Sequence, residues 1–137
     1  MHAHSTFHCT PENVKDVRTW ISGTLLTGGV EPDVVNRILL AASEAVTNCI
    51  VHGYKPRREG RVDVSIDIGM PSVQLVVRDY GAGLQMDQYD SPDTDLASEG
   101  GYGIYLIRSL MDDVRLAPQI DGTELTMTIF RERAQDA

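Results

Sequence analysis

Between Ala41 and Gly53 the chain reads A-A-S-E-A-V-T-N-C-I-V-H-G, with a carboxylate, an amide and an imidazole at successive i, i+4 positions: Glu44, Asn48 and His52. On a helix such residues are neighbours about 5–6 Å apart at Cβ, so the three form one stripe. One hydrated cation and one phosphate could span it. A solvated helix face would have the same pattern, and the stripe alone leaves both readings open. A second carboxylate, Asp79, opens D-Y-G-A-G, where Gly81 and Gly83 let backbone approach a ligand closely. Further on, Gly101 and Gly103 precede I-Y-L-I-R-S-L-M-D. Glycines at a helix start offer free N–H groups and a positive dipole end to an anion, although G-x-G also occurs for steric reasons.

Helices and strands must bring these groups together. Pro32-Asp33 opens the longest helix, which the pattern carries to a glycine C-cap near Gly53. At 100° per residue Val35, Ile38, Leu39, Ala42, Val46, Cys49 and Ile50 gather on one arc, and Asn36, Arg37, Ser43, Glu44, Thr47, Asn48 and His52 on the other. Before it, Thr10 as N-cap and Pro11-Glu12 start a helix with Val14, Val17, Ile21 and Leu25 inward, ended by Gly28-Gly29. Its Lys15, Arg18 and Ser22 form a solvated face or a partner surface. Arg61 to Ile68 alternates Val62, Val64, Ile66 and Ile68 against Asp63, Ser65 and Asp67, and Val73 to Asp79 follows a short turn, predicting an antiparallel hairpin. Ile104, Ile107, Leu110 and Met111 give the third helix a core face. Asp113 to Leu116 begins a fourth strand, Pro118 to Gly122 turns, and Thr123 to Phe130 alternates again. Residues 84 to 99 have no period and carry five acidic groups without a Lys or Arg, the pattern of a lid or a disordered segment.

With 137 residues the chain fits one domain that can bury a core without staples. A formal charge of −8 argues against a sequence-independent grip on nucleic acid, so any phosphate is held locally. No apolar run approaches the roughly 20 residues of a membrane span, and the N-terminus lacks a signal-peptide pattern. Cys9 and Cys49 are the only cysteines, with Cys49 on the apolar arc, and a reducing cytoplasm is the simpler expectation. His2, His4 and His8 raise a metal alternative, but the alternation of Thr6 and His8 with Phe7 and Cys9 fits an edge strand better.

The order of the motifs carries more than any one of them. S-E-A-V-T-N-C-I-V-H-G-Y at 43 to 54, D-Y-G-A-G at 79 to 83, G-Y-G-I at 101 to 104, L-M-D-D-V at 110 to 114 and G-T at 122 to 123 together resemble the GHKL, or Bergerat-fold, ATP-binding domains. Within that group the resemblance is greatest to the bacterial anti-sigma-factor serine/threonine kinases. It implies an α+β fold over 1–137, a two-layer sandwich of a largely antiparallel sheet with about three helices on one face and an ATP lid at 84–99.

The resemblance also implies roles. Asn48 matches the magnesium ligand, an amide oxygen being a suitable hard donor. Glu44 matches the general base that takes a proton from a substrate hydroxyl, or from water, as the γ-phosphoryl is transferred. Asp79 matches the acceptor for the adenine amino group, Gly81 and Gly83 shape the base pocket, Gly101 and Gly103 lie on the phosphate side, and Thr123 supports the carboxylate. His52 either approaches the nucleotide or is a satisfied helix-end histidine. Relatives often place a basic residue in or after the lid, whereas residues 79 to 107 hold no Lys or Arg. Arg18, Arg37 and Arg108 are the remaining candidates in principle. The implied function is a cytoplasmic switch kinase that binds ATP and Mg2+, phosphorylates a Ser or Thr on a small anti-sigma antagonist, sequesters a sigma factor or similar regulator, and pairs as a homodimer. The alternatives are an ATP-dependent binding module without transfer and a plain ATPase.

Overall fold

Alternating burial along four of the five strands and a 3.6-residue period along the helices sort the chain into a sheet and a helical layer sharing one core. The computed structural model describes residues 1–50, 60–80, 101–119 and 121–131, with side chains of the third helix described from Tyr105 onward. The strands are β1 (His2–His8), β2 (Arg61–Ile68), β3 (Ser72–Asp79), β4 (Asp113–Gln119) and β5 (Gly122–Phe130). The helices are α1 (Val14–Thr27), α2 (Pro32–Asn48) and α3 (Gly101–Leu110), with a 3-10 turn at Pro11–Asn13. The sheet runs β1-β2-β3-β5-β4 with every neighbouring pair antiparallel. This is the expected α+β arrangement, a largely antiparallel sheet under three helices.

Val62, Val64, Ile66, Val73, Leu75, Val77, Leu125, Met127 and Ile129 form the inner sheet face, and Val17, Ile21, Leu25, Ile38, Val46 and Ile107 meet them from the helices. Phe7 packs edge-on against Trp20, 5.9 Å between ring centres, tying edge strand β1 to α1. Ile104 is in α3, but its side chain lies outside the described residues.

Four local expectations change. Thr10 makes no side-chain cap: its carbonyl accepts from Asn13 N–H in the 3-10 turn, and the Asn13 amide donates to His8 O instead. Strand β4 runs on to Gln119, through Pro118, because an edge strand tolerates a residue without N–H. Gly101 and Gly103 lie inside the first turn of α3 rather than ahead of it. Asn48 leaves the outer arc. It continues the row Ala41, Ala45, Asn48, at i, i+4 and i+7, and all three are buried. The small alanines let this side of α2 pack closely. The loop at 54–60, apart from Gly60, and the C-terminal tail after Arg131 lie outside the described residues.

Candidate functional site

Burying a polar side chain costs free energy unless a partner compensates it, so buried polar groups point to structure or function. Among the described residues three polar side chains are buried: Asn48, Asp79 and Thr123, at 1%, 3% and 2% exposure. All three belong to the motif set, and they lie on three different elements, the end of α2, the end of β3 and the start of β5.

Strand register explains how two of them meet. Asp79 sits directly opposite Thr123 across the β3–β5 pair and opposite Val62 on the other side. Both side chains face the core, so they are cross-strand neighbours. Gly122 fixes the approach of the two backbones. Its φ is +141°, and a Cβ there would strike the Asp79 carbonyl oxygen and lie within 2.8 Å of Tyr80 Cα. The helix arrives through Cys49, whose thiol donates to Asp79 Oδ2 at 3.6 Å. A hydrogen bond with Cys9, burial and the nearby Asp79 charge, in that order, push the Cys49 thiol well above its ordinary pKa. It stays a neutral donor beneath the carboxylate. Sequence reasoning treated Cys49 as a small apolar residue, and only its place beside Asn48 hinted at more.

Asn48 is the unusual member. Among the described residues neither its amide oxygen nor its amide nitrogen has a hydrogen-bond partner. Leaving such a group unmatched costs about 1–3 kcal/mol, and the free Oδ1 fits a hard-cation donor. One turn earlier, Glu44 is half-buried on the same helix. Between them the Thr47 hydroxyl donates back to Ser43 O at 2.7 Å, so it does not compete for the site. Gly101 and Gly103 belong to the opening turn of α3, where the first N–H groups have no intrahelical acceptor. Helix α3 packs on α2. His52, Gly81, Gly83 and residues 84–99, the expected lid, lie outside the described residues.

Two of the candidate cations, Arg37 and Arg108, are placed away from the glycine end of α3. Arg37 donates twice to Leu110 O, at 2.9 and 2.6 Å, capping the last turn. At 1.5 Å per residue that end is about 13 Å from Gly101. Arg108 lies in the same last turn, and Arg18 is exposed on α1. The N-terminal histidines occupy the exposed side of β1, where His2 Nδ1 pairs with Asp67 at 2.7 Å. No helix among the described residues is long and apolar enough to cross a membrane.

Residues 7–129 match the family model of the histidine kinase-like ATPase domain. The serine-protein kinase RsbW of Bacillus licheniformis is 36% identical over 92% of this chain and 84% of its own. That of Bacillus subtilis is 32% identical over 88% and 79%, and that of a Staphylococcus aureus strain 30% over 90% and 83%. Among solved structures, the RsbU and RsbW domains of a Mycobacterium tuberculosis protein superpose with a TM-score of 0.72 at 22% identity, over 95% of this chain and 32% of that one. At that identity the likeness concerns the fold.

Proposed function

Because this chain belongs to the histidine kinase-like ATPase family and has RsbW serine-protein kinases among its relatives, we propose that it is an ATP-dependent protein serine/threonine kinase and anti-sigma factor. In this reading it phosphorylates a small antagonist protein and sequesters a sigma factor or similar regulator in the cytoplasm, working as a homodimer. The observation that carries it is the coincidence of the three buried polar side chains, Asn48, Asp79 and Thr123, with the motif positions for nucleotide binding.

Each residue then has a task. Asp79 accepts a hydrogen bond from the adenine amino group, with Thr123 beside it and Cys49 holding one oxygen. The first-turn N–H groups of Gly101 and Gly103 face the phosphates. Glu44 takes the proton from the acceptor hydroxyl, and Asn48 Oδ1 holds magnesium. Magnesium, when bound, would supply charge neutralisation at the phosphates. His52 follows Asn48 by four residues in sequence and is proposed on the phosphate side. Gly81 and Gly83 shape the base pocket, and 84–99 is the lid.

A second reading, a binding module in which ATP shapes a partner surface without transfer, is favoured by the lack of any Lys or Arg between 79 and 107 and by the engagement of Arg37 at the far end of α3. Incubation with γ-labelled Mg-ATP and the cognate antagonist separates the two. Label on a serine or threonine, lost in Glu44→Ala and Asn48→Ala, supports the kinase. Equal labelling by both variants overturns the assigned chemistry, and nucleotide binding with no transfer favours the module.

A further inference from the structure

On the open face of the sheet, directly behind the Asp79 carboxylate, three charged side chains, Arg61, Arg78 and Asp63, surround the Tyr80 ring. Residues 78 and 80 flank Asp79 and project to the opposite face of the strand from it. The Arg61 guanidinium lies 4.1 Å from the centre of the Tyr80 ring, and that of Arg78 lies 4.4 Å from it. The Tyr80 hydroxyl donates to Asp63 Oδ2. Arg78 does two further things: one terminal nitrogen donates to Asp79 O at 3.0 Å and the other pairs with Asp121 Oδ1 at 2.7 Å. Asp121 immediately precedes Gly122 and Thr123. The guanidinium therefore ties the last backbone unit of β3 to the residue that leads into β5.

The end of a strand is where a ladder frays, and here the last residue of β3 carries the carboxylate proposed to bind adenine. We infer that Arg78 and Tyr80 are positioning residues that hold the Asp79 carboxylate in register for the adenine amino group, through the main chain and from the face away from the nucleotide. Arg78 fixes the Asp79 carbonyl that Gly122 approaches. Tyr80, held between two cations and anchored at its hydroxyl, sets the path by which the chain leaves the strand. Arginine suits the position because its planar fork reaches two acceptors while its face stacks on the ring, which a lysine cannot do. The effect belongs to the base-recognition half of the site, since none of these side chains projects toward the nucleotide.

The inference rests on the reading of Asp79 as the adenine acceptor, and the test separates the two. Affinity is measured by calorimetry for ATP and for purine riboside triphosphate, which lacks the 6-amino group. The wild-type chain is expected to prefer ATP by about 10-fold or more, the value of one hydrogen bond to a charged group. Asp79→Ala, which removes the acceptor, should bring that ratio close to one. Arg78→Ala and Asp121→Ala should each lower it at least threefold by weakening ATP while leaving affinity for the analogue nearly unchanged, with Arg78→Lys intermediate. Two alanine variants allow for one of them failing to fold. A purely structural role would weaken both nucleotides equally and keep the ratio. If Asp79→Ala collapses the ratio while Arg78→Ala and Asp121→Ala keep the wild-type value, the positioning role is overturned. If Asp79→Ala itself keeps the ratio, the adenine assignment fails.

Discussion

A buried asparagine with both amide atoms unmatched is an expensive residue, and its expense is the plainest sign of a site. The motifs single out Asn48, Asp79 and Thr123, and the structure buries all three side chains. The burial of Asn48 was not legible. A helical wheel sorts residues by their own polarity, and Asn48 was grouped with Glu44 and Thr47 although its row is shared with Ala41 and Ala45. Gly122 makes the corresponding point for backbone. In the sequence it is one half of a G-T pair, and only the structure places it against the Asp79 carbonyl. Gly122→Ala is expected to destabilise the fold by about 2 kcal/mol, since it combines an unfavourable φ with a backbone collision that no rotamer relieves. Urea unfolding measures this. A variant as stable as wild type would show that β3 and β5 separate freely at that point.

Strands and helices were more legible than their ends. Alternation in 61–68 and 73–79 specifies the hairpin, and the apolar rows specify all three helices, because burial on one face enforces a period. Ends depend on long-range partners that no local window contains. The α1–α2 connection, the β2–β3 turn and the exit from β5 are joined by one side chain. Arg131, 10% exposed, donates to Gly69 O at 2.8 Å and Gly29 O at 3.2 Å and pairs with Glu31 at 3.0 Å. Arg131→Ala is expected to cost about 2 kcal/mol in urea unfolding at neutral pH, the scale of hydrogen bonds from a charged group. The pH dependence has a definite sign. The hydrogen bond from Arg131 holds the Glu31 pKa below its ordinary value, so the pair's contribution is complete above the unfolded-state pKa of about 4.3 and is lost as pH falls through the lower native value. The gap between wild type and variant should therefore narrow below pH 4. A gap constant from pH 7 to pH 3 would assign the loss to packing or to the two carbonyl contacts instead.

At the scale of the whole molecule, an acidic chain of net charge −8 is proposed to hold a polyanion. Long-range attraction cannot do this, so the site must work locally, through backbone N–H groups at the start of α3, an amide oxygen suited to a divalent cation, and a carboxylate turned toward the base rather than the phosphates. That division of labour makes the central claim testable without knowing the partner. Calorimetric titration of ATP, with and without magnesium, should show binding by the wild-type chain that tightens at least tenfold when magnesium is present. Asn48→Ala should lose most of that magnesium dependence, and Asp79→Asn should weaken binding at least tenfold under both conditions. If both variants bind ATP with wild-type affinity and wild-type magnesium dependence, the three buried polar side chains are not a nucleotide site.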